Sequence, residues 1–316
     1  MNIPKKQKKK LLIGAGIVLA VFAWLVWEVY VPKSAMPVPT EVYSFIKGTS
    51  DTQIATSLEQ SGIIKNGSFF RVYVAVTGND AKLQAGSYNF SPSMSLDEIV
   101  KKFTSGDTIK DKVTILEGWT LQDINKYLAS KHLSFGQDVS KVNTADLSAQ
   151  FAVLQDKPEN ASLEGYIFPD TYEISYGETQ SDFVKNILTN FNKKLTPDLQ
   201  KEIASQQKSV FEVITMASIL EREVKSLQDK RVVAGILWKR IENGMPLQVD
   251  ATTNYIYATR TKTTTRSALE NSPYNTYKYK GLPAGPICNP GMDSILAAIY
   301  PTASPYWFYI SAQGTG

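Results

Sequence analysis

Residues 211–224, FEVITMASILEREV, hold the most informative carboxylates of the chain. At helical spacing Val213, Ile214, Met216, Ala217, Leu220 and Val224 share one broad apolar arc, while Thr215, Arg222 and Lys225 lie opposite. Glu221 falls inside that arc, one turn from Ala217 and Val224, and Glu223 lies near its far edge. A carboxylate on an apolar stripe is unfavourable unless it is paired or protonated. Desolvation favours the protonated form, which a general acid working near neutral pH needs. Two readings stay open: Glu221 is a catalytic acid, or it is a structural glutamate paired with Arg222 or Lys225 or covered by a loop.

Two later segments, MPLQVDATTNYIY (245–257) and SPYNTYKYKGLPAGPICNPG (272–291), concentrate Gln, Asn, Tyr and Asp among Gly/Pro turns. Rigid loops carrying amides and aromatic rings suit a sugar groove, in which amides bond hydroxyls and N-acetyl groups and tyrosine faces stack on pyranose rings. The same residues could equally cap backbone groups in ordinary turns.

Composition narrows the chemistry. The chain has 316 residues, 34 Lys+Arg and 30 Asp+Glu. Five of those lysines (Lys5, Lys6, Lys8, Lys9, Lys10) fall in the first ten residues; setting them aside leaves 29 basic against 30 acidic side chains. A near-neutral body argues against a nucleic-acid partner, which requires a basic face. The single Cys288 and single His132 exclude a disulfide framework and a Cys- or His-based metal site and disfavour a Ser-His-Asp triad. No cofactor or metal is expected. Any catalysis must rest on carboxylates, hydroxyls and amides. Cys288 reads as packed rather than reactive, His132 as a surface residue, and Arg260–Arg266 as a solvated basic loop.

The elements that must position these groups begin at a membrane. Leu11 to Trp27 carries no charge, and as a helix Leu11–Val31 would span roughly 30 Å, about a bilayer core. Trp24, Trp27 and Tyr30 crowd the far end, where aromatic rings favour headgroup level. The lysines predict a cytoplasmic N-terminus, so everything after Pro32 is expected outside. A cleaved signal peptide is the alternative, although Ser34-Ala35-Met36 makes a poor cleavage site. Pro32, Pro37 and Pro39 make residues 32–41 an extended linker.

Beyond it, Val42–Ile46 alternates like a strand, Gly48 turns, and Ser50-Asp51-Thr52-Gln53 has the form of a capping box that opens a helix. The pattern recurs 70 residues on: Ile46, Gly48, Ser50, Ile54, Leu58 and Ile63 match Leu116, Gly118, Thr120, Ile124, Leu128 and Leu133. Phe70–Val76 is ambiguous between strand and helix, Leu83–Phe90 reads as a strand pair around Gly86, and Ser95 caps a helix that Gly106 ends. A βααβ unit over 42–107 resembles LysM-like modules, which hold N-acetylglucosamine polymers. From residue 113 a larger α+β domain is predicted: strand 113–116, helix 120–130, an irregular stretch 162–174, helices at about 181–194, 197–206, 211–225 and 230–243, then turns and short strands from Gly244. The fold class is α+β: a transmembrane helix over 11–31 after a basic tail (1–10), a small LysM-like module, and a larger domain over 113–316.

EGYIFPDTY, ASILERE, LQVDAT, SPYNTY and GLPAGPICNPG, in that order behind an N-terminal anchor, together resemble the YceG-like endolytic murein transglycosylases. The resemblance implies a single-span membrane protein with its catalytic domain facing the peptidoglycan. It makes Glu221, the first Glu of ASILERE, the catalytic acid, and gathers Glu164, Gln248, Asp250, Tyr274 and Asn275 around the cleft. It further implies cleavage between MurNAc and GlcNAc without water, 1,6-anhydroMurNAc ends, termination of glycan elongation, and partnership with penicillin-binding synthases. Ala251 stands where the family often has Pro, and relatives usually continue into a Gly-x-His-x-Phe segment where this chain ends at Gln313–Gly316. Two rival functions remain: a hydrolytic muramidase with Asp250, Asp170 or Glu223 as second carboxylate, or a non-catalytic glycan-binding scaffold.

Overall fold

The computed structural model describes residues 5–131, 138–142, 145–175, 177–259 and 269–310; His132, Leu133, Arg260–Arg266 and Gln313–Gly316 lie outside them. Helices and strands are mixed, and the chain divides into two compact units, Met1–Asp111 with Glu173–Gly177, and Lys112–Tyr172 with Glu178–Gly316.

The first unit starts with α1 (Lys5–Tyr30), whose stretch Leu12–Tyr30 is long and apolar enough to cross a membrane. The far end of α1 is tied down: Lys65 pairs with Glu28 at 3.9 Å and lies 3.5 Å over the Trp27 ring. Next come β1 (Glu41–Phe45), α2 (Asp51–Gln60), α3 (Gly67–Val76), β2 (Gly86–Phe90) and α4 (Leu96–Ser105). β1 and β2 are antiparallel, with Tyr43 opposite Tyr88 and Phe45 opposite Gly86. Phe45, Tyr88, Phe90 and Phe103 form the aromatic centre of the core, which the apolar faces of α2 and α3 close with Ile54, Leu58, Phe70 and Val74. Ser50 and Ser95 make the expected capping boxes, and Gly106, at φ +67°, ends α4.

Phe70–Val76 is helical: Phe70 and Val74, four residues apart, are its buried residues and Tyr73 packs beside them, while Val72 and Val76 are exposed. Leu83–Phe90 is not a strand pair. A single strand starts at Gly86, whose φ of +152° brings it close to the Thr108 side chain.

In the second unit the repeated pattern holds: Gly118 turns at φ +77°, Thr120 makes a capping box with Asp123, and α5 runs Leu121–Ser130. The preceding strand, β3 (Lys110–Thr114), begins earlier than the predicted 113–116, because pairing with β4 (Thr171–Ser175) rather than apolar content defines it. β4 likewise ends the stretch expected to be irregular. After a short α6 (Ala145–Ser148) come α7 (Gln180–Lys194), α8 (Pro197–Ser205), α9 (Val210–Glu223) and α10 (Leu227–Glu242), each of the last four with a Ser or Thr cap. The region after Gly244 departs most from expectation: the turns are present between 271 and 291, but α11 (Asp250–Thr259) and α12 (Met292–Ile299) stand where short strands were expected. The β-branched and aromatic residues of α11 read as strand-like, but packing against α9 overrides that weak preference.

α9 is the axis of this unit. Every residue from Val213 to Leu220 is buried, and Thr215, opposite the apolar arc, is fully so, its hydroxyl donating to Phe211 O at 2.7 Å. A helix buried all round can present polar groups to a cleft only at its ends.

Candidate active site

α9 stops at Glu223, where Val224 turns to extended backbone (φ −143°, ψ 152°). Glu221 therefore sits in the last helical turn, where the core opens onto a cleft of about 1060 Å³ lined also by Glu223, Asp250, Asn254 and Tyr309.

Neither Arg222 nor Lys225 pairs with Glu221. Lys230, in the first turns of α10 and 3% exposed, places Nζ 3.3 Å from both carboxylate oxygens. Gly291 donates its N–H to Oε2 at 3.0 Å, and the Ser294 hydroxyl donates to the same oxygen at 2.6 Å. Gly291 is the N-cap of α12 and has no side chain to cap it, so Glu221 reaches across from α9 as the cap acceptor. The positive end of α12 adds to the ammonium charge of Lys230. Lys230, Gly291 and Ser294 all donate to the Glu221 carboxylate.

Asn289 sets the position of Gly291. Its N–H and side-chain amide both donate to Trp119 O, at 2.8 and 2.9 Å, and its Oδ1 accepts from Ile167 N–H. Its amide also donates to Glu164 Oε1 at 3.1 Å. Glu164 is only 4% exposed and does not line the cleft. It accepts the Leu121 N–H at the start of α5 and the Tyr255 hydroxyl, and burial pushes its carboxyl up to about 8 despite those donors.

Of the other expected cleft residues, Asp250 is on the cleft wall, its Oδ1 accepting from Tyr277. Gln248 is exposed at φ +51°, with its N–H on Thr276 O. Tyr274 is half-buried against Tyr255, ring centroids 5.1 Å apart. Asn275 organises its own turn: Oδ1 accepts the Tyr277 and Lys278 N–H groups and Nδ2 donates to Glu270 O. These three do not line the cleft. Of the candidate second carboxylates, Glu223 lines it and Asp170 does not. Glu223 accepts Ala251 N–H at 3.2 Å and the Tyr309 hydroxyl at 3.1 Å; burial, with the nearby charge of Asp250, raises its carboxyl above the usual range. Cys288 is packed, its thiol 3.3 Å from Ser218 O.

Sequence reasoning missed Lys230, Gly291 and Ser294. A lysine in an amphipathic helix reads as solvated, and nothing in its spacing from Glu221 signals a pair. Gly291 and Ser294 stand three apart at the head of an apolar run, the spacing of an N-cap and its third residue, and reading NPGMDSILAAI as a helix start would have found them.

Residues 44–316 match the YceG-like family. An endolytic murein transglycosylase of Bacillus subtilis (strain 168) is 32% identical over 277 residues, 84% of this chain and 76% of that protein. A protein of the same name from Streptococcus pneumoniae (serotype 2, strain D39) is 28% identical over an alignment of 317 positions, 89% of this chain but 57% of the relative, so the chain spans little more than half of the pneumococcal protein. The crystal structure of a yceG-like protein from Listeria monocytogenes superposes with a TM-score of 0.56 at 32% identity, covering 88% of this chain and 94% of that one. The chain belongs to the YceG-like family.

Proposed function

We propose that this protein is an endolytic murein transglycosylase, an enzyme that cuts peptidoglycan glycan strands between MurNAc and GlcNAc, with Glu221 as its acid and base. The observation that carries the reading is the set of donors around Glu221 at the mouth of a large cleft, in a chain whose relatives bear that name.

The chemistry divides into two proton transfers. Protonated Glu221 gives its proton to the bridging oxygen as the bond from that oxygen to C1 of MurNAc breaks. The carboxylate left behind gains negative charge where Lys230, the Gly291 N–H and the Ser294 hydroxyl already point, so the donors favour the transition state over the protonated ground state. Glu221 then takes the C6 hydroxyl proton of the same MurNAc as O6 bonds to C1. The product is a 1,6-anhydro end, Glu221 is protonated again, and water is not consumed. A second carboxylate to position water, as hydrolytic glycosidases require, has no task here.

α1 supplies a single-pass anchor with its lysine-rich end in the cytoplasm, the first unit a LysM-like glycan-holding module, and the second the cutting domain. Acting on nascent strands beside penicillin-binding synthases, the enzyme terminates glycan elongation. The test is to incubate the full chain in detergent with isolated peptidoglycan and identify the released ends by mass spectrometry. Anhydro-muramyl ends are expected, reduced at least about 10²–10⁴-fold by Glu221→Gln. Reducing ends instead would make it a hydrolase using Glu223 or Asp250, and intact glycan a binding protein.

A further inference from the structure

One carboxylate beside this centre has no part in the chemistry above. Glu117 begins the turn that leads into α5, and the backbone after it is held from two sides. Gly118 N–H donates to Asn289 O at 2.9 Å, and Arg222, the charged neighbour of Glu221 on α9, donates to Gly118 O at 3.3 Å. The pairing lays Glu117 flat on Gly291: a Cβ on that glycine would stand 2.0 Å from Glu117 Oε1 and 2.2 Å from its Cδ. The N–H of the same glycine donates to Glu221. Two carboxylates thus flank one residue, and standard bond lengths put their oxygens within about 8 Å of each other.

The charges facing Glu221 come from several elements. α10 contributes Lys230 and the turn before α5 contributes Glu117, which Asp293 in the first turn of α12 faces in turn. Glu223 and Asp250 line the same cleft, with Arg222, Lys225 and Asp229 also along its wall. Lys230 suits the second half of the reaction, in which Glu221 must be a base. By itself it opposes the first half, in which Glu221 must hold a proton. Like-charged carboxylates at short range retain a proton more readily than either alone. Glu117, although exposed to solvent, shows that coupling: partial desolvation first, then the charge of Glu221, raise its carboxyl above the usual range, while Lys230 works the other way.

We propose that Glu117 is a positioning residue for the proton of Glu221: seated on Gly291, its carboxylate offsets the ammonium of Lys230 so that Glu221 can carry the proton it delivers. The inference rests on Glu221 being the acid.

The test is a pH–rate profile of the full chain on isolated peptidoglycan, with anhydro ends counted by mass spectrometry. In Glu117→Gln the descending, high-pH limb should move down by about one pH unit. Activity at neutral pH should fall about tenfold through kcat rather than KM, and recover at low pH. Glu117→Asp should lie between. Gly291→Ala, at a φ of −75° that alanine accepts, should push the Glu117 carboxylate aside and move the limb the same way. An unmoved limb in the folded variants, or an equal loss at every pH, overturns the proposal. Glu221→Gln run alongside separates the two claims. If it is inactive while the Glu117 limb stays put, only this inference fails; if it remains active, the acid assignment falls and this inference with it.

Discussion

Replacing Lys230 with methionine separates what the Glu221 pair does for stability from what it does for catalysis. Lys230 Nζ lies 3.3 Å from both oxygens of Glu221, with side-chain exposures of 4% and 10%. At that separation Coulomb attraction is about 5 kcal/mol for an effective dielectric near 20. The desolvation of both groups offsets much of that in the intact protein, so the pair adds little net stability. Removing one partner is different, because Glu221 is then left with only the Gly291 N–H and the Ser294 hydroxyl. The expected loss is about 3–5 kcal/mol, or roughly 6–20 °C in the melting of a unit of this size.

The double variant Lys230→Met/Glu221→Gln removes both charges together and should be less destabilised than the sum of the singles by about 1–3 kcal/mol. Thermal unfolding of the four proteins in detergent gives that cycle. Turnover on isolated peptidoglycan gives the second readout: Lys230→Met should lower kcat by about 10²–10³-fold, as the loss of one preorganised donor does. Additive melting shifts, or a single variant within threefold of wild-type turnover, would refute the reasoning, since either means that the ammonium is not felt by the carboxylate.

Three further outcomes follow from other parts of the molecule. Gly235→Ala, a change that normally stabilises a helix, should instead destabilise the second unit by about 3 kcal/mol in thermal melts, because its Cβ would stand 2.0 Å from the backbone oxygen of Thr302. The carboxyl of Glu164 is raised from 4.5 to about 8, so the folded form holds its proton better than the unfolded one. Its stabilising contribution is therefore complete below about pH 4.5 and lost as pH climbs to about 8, and Glu164→Gln should flatten the melting temperature across that window. The proposed topology, α1 across a membrane with its lysines inside, predicts that a cysteine replacing the exposed Met36 reacts with an impermeant maleimide from outside intact cells; labelling only after lysis would reverse the topology.

Much of the scaffold was legible because local rules and tertiary packing agree there. Ser50, Ser95, Thr120, Thr179 and Ser209 each sit three residues before an acceptor side chain that bonds back to the cap, and each opens a helix. Reading failed where pairing or burial, rather than pattern, decides the element. β3 is largely charged and exists through β4, while α11 carries Thr, Tyr and Ile that by themselves favour a strand. The site divides the same way. Glu221 stood out because a charge on an apolar arc breaks the local pattern. Lys230, Gly291, Ser294 and Glu117 break none, and only the fold brings them together.

That division explains why the carboxylate can sit in so tightly packed a helix. α9 is buried on every side from Val213 to Leu220, and its last turn is the first place after that run where a charge can reach the cleft. At that point the start of α12 lacks a side-chain cap, and the Glu221 carboxylate fills the vacancy. Glu221 is thus part of the structure that holds α12 against α9. Truncation to alanine would remove a helix cap and leave Lys230 buried and unpaired, confounding lost chemistry with lost structure. Glutamine keeps an oxygen that can accept from Gly291 and Ser294. Comparing the melting of Glu221→Gln with that of Glu221→Ala therefore measures the cap directly. The alanine variant should be less stable by about 1 kcal/mol or more, and equal melting would mean that the Gly291 and Ser294 contacts bear on catalysis alone.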